Sequence, residues 1–154
     1  MAPPDRDQME RRLFRLAEAM QGRFANTPDS ALSRPERAFR SVWELEAEVN
    51  NGGFHQYFSN SSGRRAAEAP AALRAVGALH TAAIVEAALG AVGKGVAWGD
   101  DTRRQAAVEA LSEAADASLD ALDARFYAYP DDLTARLYSF VAEHRAEFAA
   151  PVGF

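Results

Sequence analysis

Glu46-Ala47-Glu48-Val49-Asn50-Asn51-Gly52-Gly53-Phe54-His55-Gln56-Tyr57-Phe58-Ser59-Asn60-Ser61-Ser62-Gly63 is the stretch on which the fold turns. Up to Val49 it continues a helix. Asn50, Asn51, Gly52 and Gly53 then stop that helix. Glycine, and less readily asparagine, takes the left-handed backbone that closes a helix C-terminus. Phe54, Tyr57 and Phe58 follow within five residues, the spacing of a short helical turn that drives aromatics into a core. Asn60-Ser61-Ser62-Gly63 makes a second turn. Glu46 leans toward the apolar face of its helix, where its carboxylate is placed to satisfy the amides of the glycine turn.

Upstream, Ser33-Arg34-Pro35-Glu36 reads as the start of that helix. The Ser33 hydroxyl can accept from a first-turn amide and Glu36 can reach back to the Ser33 N–H. Pro35 is harmless where first-turn amides have no helical partner. Residues 6–24 predict another amphipathic helix through Met9, Leu13, Leu16, Met20 and Phe24, with 25–33 as a loop and 1–5 as a flexible lead. Downstream, Pro70 opens a helix over about 70–79. Thr81 is placed to cap a helix over 82–92, whose nearly continuous apolar composition predicts the centre of the fold. Residues 103–127 form an apolar stripe through Val108, Leu111, Leu119, Leu122 and Phe126, with a break allowed near Ser118. Pro130-Asp131-Asp132 opens a last helix, with Leu133, Leu137, Phe140, Val141, His144 and Phe148 on one face. Nothing alternates with period two, so the expected fold is all-α: a single irregular domain spanning 1–154, of about six to eight helices.

The chain has 154 residues, no cysteine and a formal net charge of −5. That length suits one domain with a sizeable core. Without cysteine there is no disulfide framework and no thiol nucleophile. No apolar run approaches a membrane span, and the N-terminus lacks the apolar core of a signal peptide, so a soluble cytoplasmic protein is expected. The negative balance argues against direct nucleic-acid binding. His55, His80 and His144 show no metal-ligand spacing, and Gly93-Lys94-Gly95 lacks the rest of a phosphate loop. No metal, no cofactor and no enzymatic activity are expected.

The charge is unevenly placed. Residues 1–80 carry ten acids and eleven bases, whereas residues 81–154 carry twelve acids and six bases. Between Glu109 and Asp132 there are seven acids and one base, Arg125. Glu109, Glu113, Asp116, Asp120 and Asp123 are spaced 4, 3, 4 and 3, so on one helix they share a face. Such a row of negative charge on a rigid support is one way to imitate a phosphate strand. Duplex DNA carries about one charge per 1.7 Å of axis, so five carboxylates alone are sparse, and Asp131, Asp132, Glu143, Glu147 or a second subunit would have to extend the row.

The Val49-Asn50-Asn51-Gly52-Gly53-Phe54 core, followed by the aromatics Tyr57 and Phe58 and then by Asn60 and Gly63, resembles the signature of a bacterial family long catalogued as a domain of unknown function. Its characterised member is a DNA mimic. The resemblance covers roughly residues 33–150. It implies an all-helical fold, a homodimer, and a role as a decoy for a DNA-binding protein such as a helix-turn-helix regulator. The carboxylate face would then be the partner surface, and the glycine motif, from Glu46 to Gly63, would be structural. The alternative is an inhibitor or immunity-type binding domain that grips its partner through an aromatic patch around Trp98, or around His55 and Tyr57.

Overall fold

The computed structural model describes residues 2–154. Among them seven α-helices follow one another: α1 Arg6–Asn26, α2 Arg34–Ser59, α3 Ala69–Ala75, α4 Leu79–Val92, α5 Asp101–Glu109, α6 Glu113–Tyr127 and α7 Leu133–Glu143. Short 3-10 segments lie at Asp29–Ala31, Ser61–Glu68 and Arg145–Glu147, and no strand occurs among the described residues. The chain is all-α, and none of these helices is long and apolar enough to cross a membrane. Of the lead expected to be flexible, Met1 lies outside the described residues. Asp5 belongs to α1 as its cap, in a reciprocal box with Gln8.

The capping box expected at Ser33 and Glu36 is present, with Pro35 in the first turn. Glu36 does more than cap. Its buried carboxylate also takes two hydrogen bonds from the Arg23 guanidinium and one from the Ala149 N–H, joining α1, α2 and the C-terminal segment. Burial alone would push this carboxyl up, but Arg23 and the Ser33 and Ala149 amides outweigh it and hold the group below its ordinary value.

The centre of the fold is α2, not the 82–92 helix. Phe39, Val42, Leu45, Val49, Phe54, Tyr57 and Phe58 of α2 are all buried, and every other α-helix except α4 packs closely on it. α4 buries Thr81, Ala82, Ile84, Val85 and Ala88 but leaves Ala83, Glu86, Ala87 and Gly90 in solvent. Alanine and glycine make α4 look apolar, yet each has little area to bury, so the composition says little about how much of the helix is covered. The large side chains of α2 decide the centre.

Two boundaries differ from expectation. α4 starts at Leu79, and Thr81 does not cap it. Instead Asp131, fifty residues on, accepts from the Thr81 N–H at 2.7 Å and from its hydroxyl at 2.9 Å. The 103–127 stripe is two helices, and its break falls at Ala110-Leu111-Ser112 rather than near Ser118. The Ser112 hydroxyl accepts from the Ala115 N–H and so restarts the chain as α6. Ser118 lies inside α6, its hydroxyl donating to the Ala114 carbonyl, which leaves it nothing to cap. α7 also ends before His144 and Phe148. Phe148 is still buried, edge-on to Phe39 at 6.0 Å.

Candidate functional site: the glycine bend and the acidic face

α2 is two helical arms joined by a bend at Gly52 and Gly53, where the backbone is not helical. Gly53 has φ +76, and a Cβ built there would stand 2.4 Å from Asp123 Oδ2. No side chain is compatible with that approach. The close approach serves a bond: Asp123 Oδ1 accepts from the Phe54 N–H at 2.8 Å, capping the second arm from α6. Burial pushes the Asp123 carboxyl up, the Phe54 amide opposes this, and the nearby Asp120 charge adds to the rise.

Glu46 therefore does not satisfy the glycine turn. Its Oε1 accepts from the Tyr129 hydroxyl at 2.9 Å, and that hydroxyl in turn accepts from Asn50 Nδ2 at 2.6 Å. Tyr129 reaches this position with φ +48, the only positive φ among the described non-glycine residues. Tyr127 donates to the Val49 carbonyl at 2.8 Å, satisfying an acceptor freed where the first arm ends. Glu48 Oε2 accepts from both Gln56 and Asn60, bridging the bend. Asn51 is exposed and makes no side-chain hydrogen bond among the described residues.

Gly63 is needed for a different reason. A Cβ there would meet the Phe58 carbonyl oxygen at 2.4 Å and Arg104 Nε at 2.9 Å. Arg104 is completely buried and donates to the carbonyls of Phe58 and Trp98 and to Asp101. One charged side chain thus closes the end of α2 onto α5. The sequence reading missed it, because a buried arginine and a surface arginine look alike in a sequence.

The seven acids predicted to form one face separate in the fold. Asp123 is half-buried on Phe54. Asp131 is buried, bonded to Thr81 and 3.1 Å from His80 Nδ1. Asp132 caps α7 and pairs with Arg6 at 3.2 Å. Glu109 ends α5, on the far side of the break. Glu113, Asp116 and Asp120 remain exposed on one face of α6. These three and Glu109 make no ion pair among the described residues, whereas five of the ten carboxylates of the first eighty residues pair with an arginine.

The aromatic patch required by the alternative reading does not form where it was expected. Tyr57 is buried and Trp98 packs on Phe58 with ring centroids 5.1 Å apart. Of that set His55 is exposed. No three His, Asp or Glu side chains converge as metal ligands would among the described residues.

No curated protein and no solved structure matches the chain. A family model does match, that of the DMP19-like proteins, over residues 30–144, a span that contains the glycine bend, Arg104 and all of α6. The chain therefore belongs to the DMP19-like protein family.

Proposed function

We propose that this protein is a non-enzymatic binding protein whose α6 acidic face occupies the basic, DNA-reading surface of a DNA-binding protein, such as a helix-turn-helix regulator. The observation that carries this reading is the row of Glu113, Asp116 and Asp120, exposed on a rigid helix and without an ion pair among the described residues. Glu113 to Asp120 spans about 10 Å at 1.5 Å per residue. One DNA strand presents on the order of three phosphates in that distance. The row therefore has the charge density of a single strand, not of a duplex. A second copy of the chain would supply the other strand, and a homodimer is part of the proposal.

Family membership supports the same reading, since the family that the glycine motif resembles has a DNA mimic as its characterised member. Affinity in this scheme comes from charge complementarity and fast association, so it weakens with salt. The test is capture of DNA-binding proteins from the host at low salt, followed by competition with labelled DNA for the captured partner. The triple reversal Glu113→Lys, Asp116→Lys, Asp120→Lys is expected to lose both capture and competition. Equal competition by the reversed protein overturns the proposal, and salt-insensitive capture would point to an apolar interface instead.

A further inference from the structure

Between α1, α2 and α7 lies a pocket of about 460 Å³, within the size range of small-ligand sites. Its apolar walls are Leu13, Phe14, Trp43 and Leu137, and its polar lining includes the buried Thr134, the half-buried Glu46 and the exposed Asn50. Phe14 is 55% exposed, unusual for a phenylalanine, and leans on Trp43 with ring centroids 6.5 Å apart. Glu46 is fixed from one side only. Oε1 takes the Tyr129 hydroxyl, while Oε2 makes no hydrogen bond and Glu46 no ion pair among the described residues.

The Arg6 charge favours an ionised Glu46 but makes no ion pair with it among the described residues. Arg6 on α1 is engaged by Glu10 at 3.1 Å and by Asp132, at the start of α7, at 3.2 Å. Arg11, which lines the pocket, is exposed and makes no ion pair among the described residues. Burial raises the cost of ionising Glu46 most; the Tyr129 hydroxyl and the Arg6 charge oppose that rise, and the Glu10 and Asp132 charges add to it, leaving the carboxyl above its ordinary value. The pocket holds a half-buried carboxyl with one oxygen free of hydrogen bonds among the described residues, in a lining that includes the Phe14 and Trp43 rings.

We propose that this pocket binds a monovalent organic cation on an apolar stem, an alkylguanidinium or alkylammonium group, with Glu46 as its counter-ion. The cation bonds Oε2 and restores the charge that burial disfavours. The stem lies along Leu13 and Leu137, and the positive charge is attracted to the ring faces of Phe14 and Trp43. The site uses none of the α6 acids and stands or falls independently of them. Its cation can arrive free or as a side chain of another protein.

The test titrates the full chain with n-butylguanidinium, following the Trp43 indole N–H by NMR, with the neutral isostere n-butylurea as control. Butylguanidinium is expected to shift that signal saturably, and butylurea is not. Glu46→Gln keeps a carbonyl to accept from Tyr129 and is expected to lower affinity about tenfold or more, as loss of a charge-assisted bond does. Phe14→Ala, at an exposed position that leaves the core intact, is expected to lower it several-fold. A capped peptide with a single arginine separates the two sources: if it binds too, a partner's side chain fits, and if only butylguanidinium binds, the ligand is a free cation. No saturable shift with butylguanidinium, equal binding of butylurea, or undiminished binding by a folded Glu46→Gln protein overturns the proposal.

Discussion

The Asp123 carboxylate stands where a side chain on Gly53 would have to be, and from there it accepts the Phe54 N–H at 2.8 Å. One contact thus explains both the glycine and the acid. α2 can bend only because α6 caps the second arm, and α6 can come that close only because position 53 has no Cβ.

Gly53→Ala should be among the most destabilising single changes in the chain. It combines a positive φ with a 2.4 Å clash, and a loss of about 2–3 kcal/mol is expected in urea unfolding. Gly22→Ala is the control. It lies within α1 with open space around it and should stabilise by about 0.5–1 kcal/mol. A neutral Gly53→Ala would refute the steric account.

Asp123→Ala should act on folding and not on partner capture. It leaves the Phe54 N–H unpaired in a buried position, at a cost of about 1–3 kcal/mol. Asp123→Asn, which keeps an acceptor, should recover most of that. If Asp123→Asn folds normally yet loses a partner that the α6 reversal also loses, Asp123 belongs to the acidic face after all.

Arg104→Ala should cost several kcal/mol. It removes a fully buried cation that holds the Phe58 and Trp98 carbonyls and Asp101, and it leaves those acceptors and a cavity behind. Arg104→Lys should rescue little, because a single ammonium cannot reach three acceptors set apart around a planar fork. The check is thermal unfolding of both variants beside wild type.

Two carboxyls should give opposite pH signatures. Asp131 is buried, and burial would raise it, but the Thr81 amide, His80 and the Thr81 hydroxyl outweigh that and hold it below its ordinary value. Its contribution is therefore present above the ordinary carboxylate range and lost as pH falls through the folded value. The stability gap between wild type and Asp131→Asn should shrink as pH drops below about 4. Glu46 is raised, chiefly by burial. Its folded form holds the proton longer than the unfolded chain, so it weakens the fold as pH rises past the ordinary glutamate value. Glu46→Gln should gain on wild type between about pH 4 and 7. Chemical unfolding of the three proteins across pH 3–7 checks both signs.

Much of the fold was legible because the deciding signals are local. The Ser33–Glu36 box, the helical spacing of Leu13, Leu16 and Met20, and the interruption at Gly52 and Gly53 each lie within a few residues of chain. Backbone stereochemistry and hydrophobic period act over that range, so sequence alone determined an all-helical chain bent at its glycines. The break at Ser112 was also a local signal, outcompeted in the reading by an apolar stripe that runs unbroken past it.

What tertiary structure decided is which polar groups meet. Asp123 with Phe54, Asp131 with Thr81, and Arg104 with Phe58 are 69, 50 and 46 residues apart. A carboxylate reads the same whether it faces water or caps a distant helix, since its charge is local but its partner is not. That is why a row of five regularly spaced acids became three exposed on α6, a fourth on α6 half-buried against Phe54, and one across a helix break. The sequence by itself determined where the chain must bend, and only packing determined which acids are left free to meet another molecule.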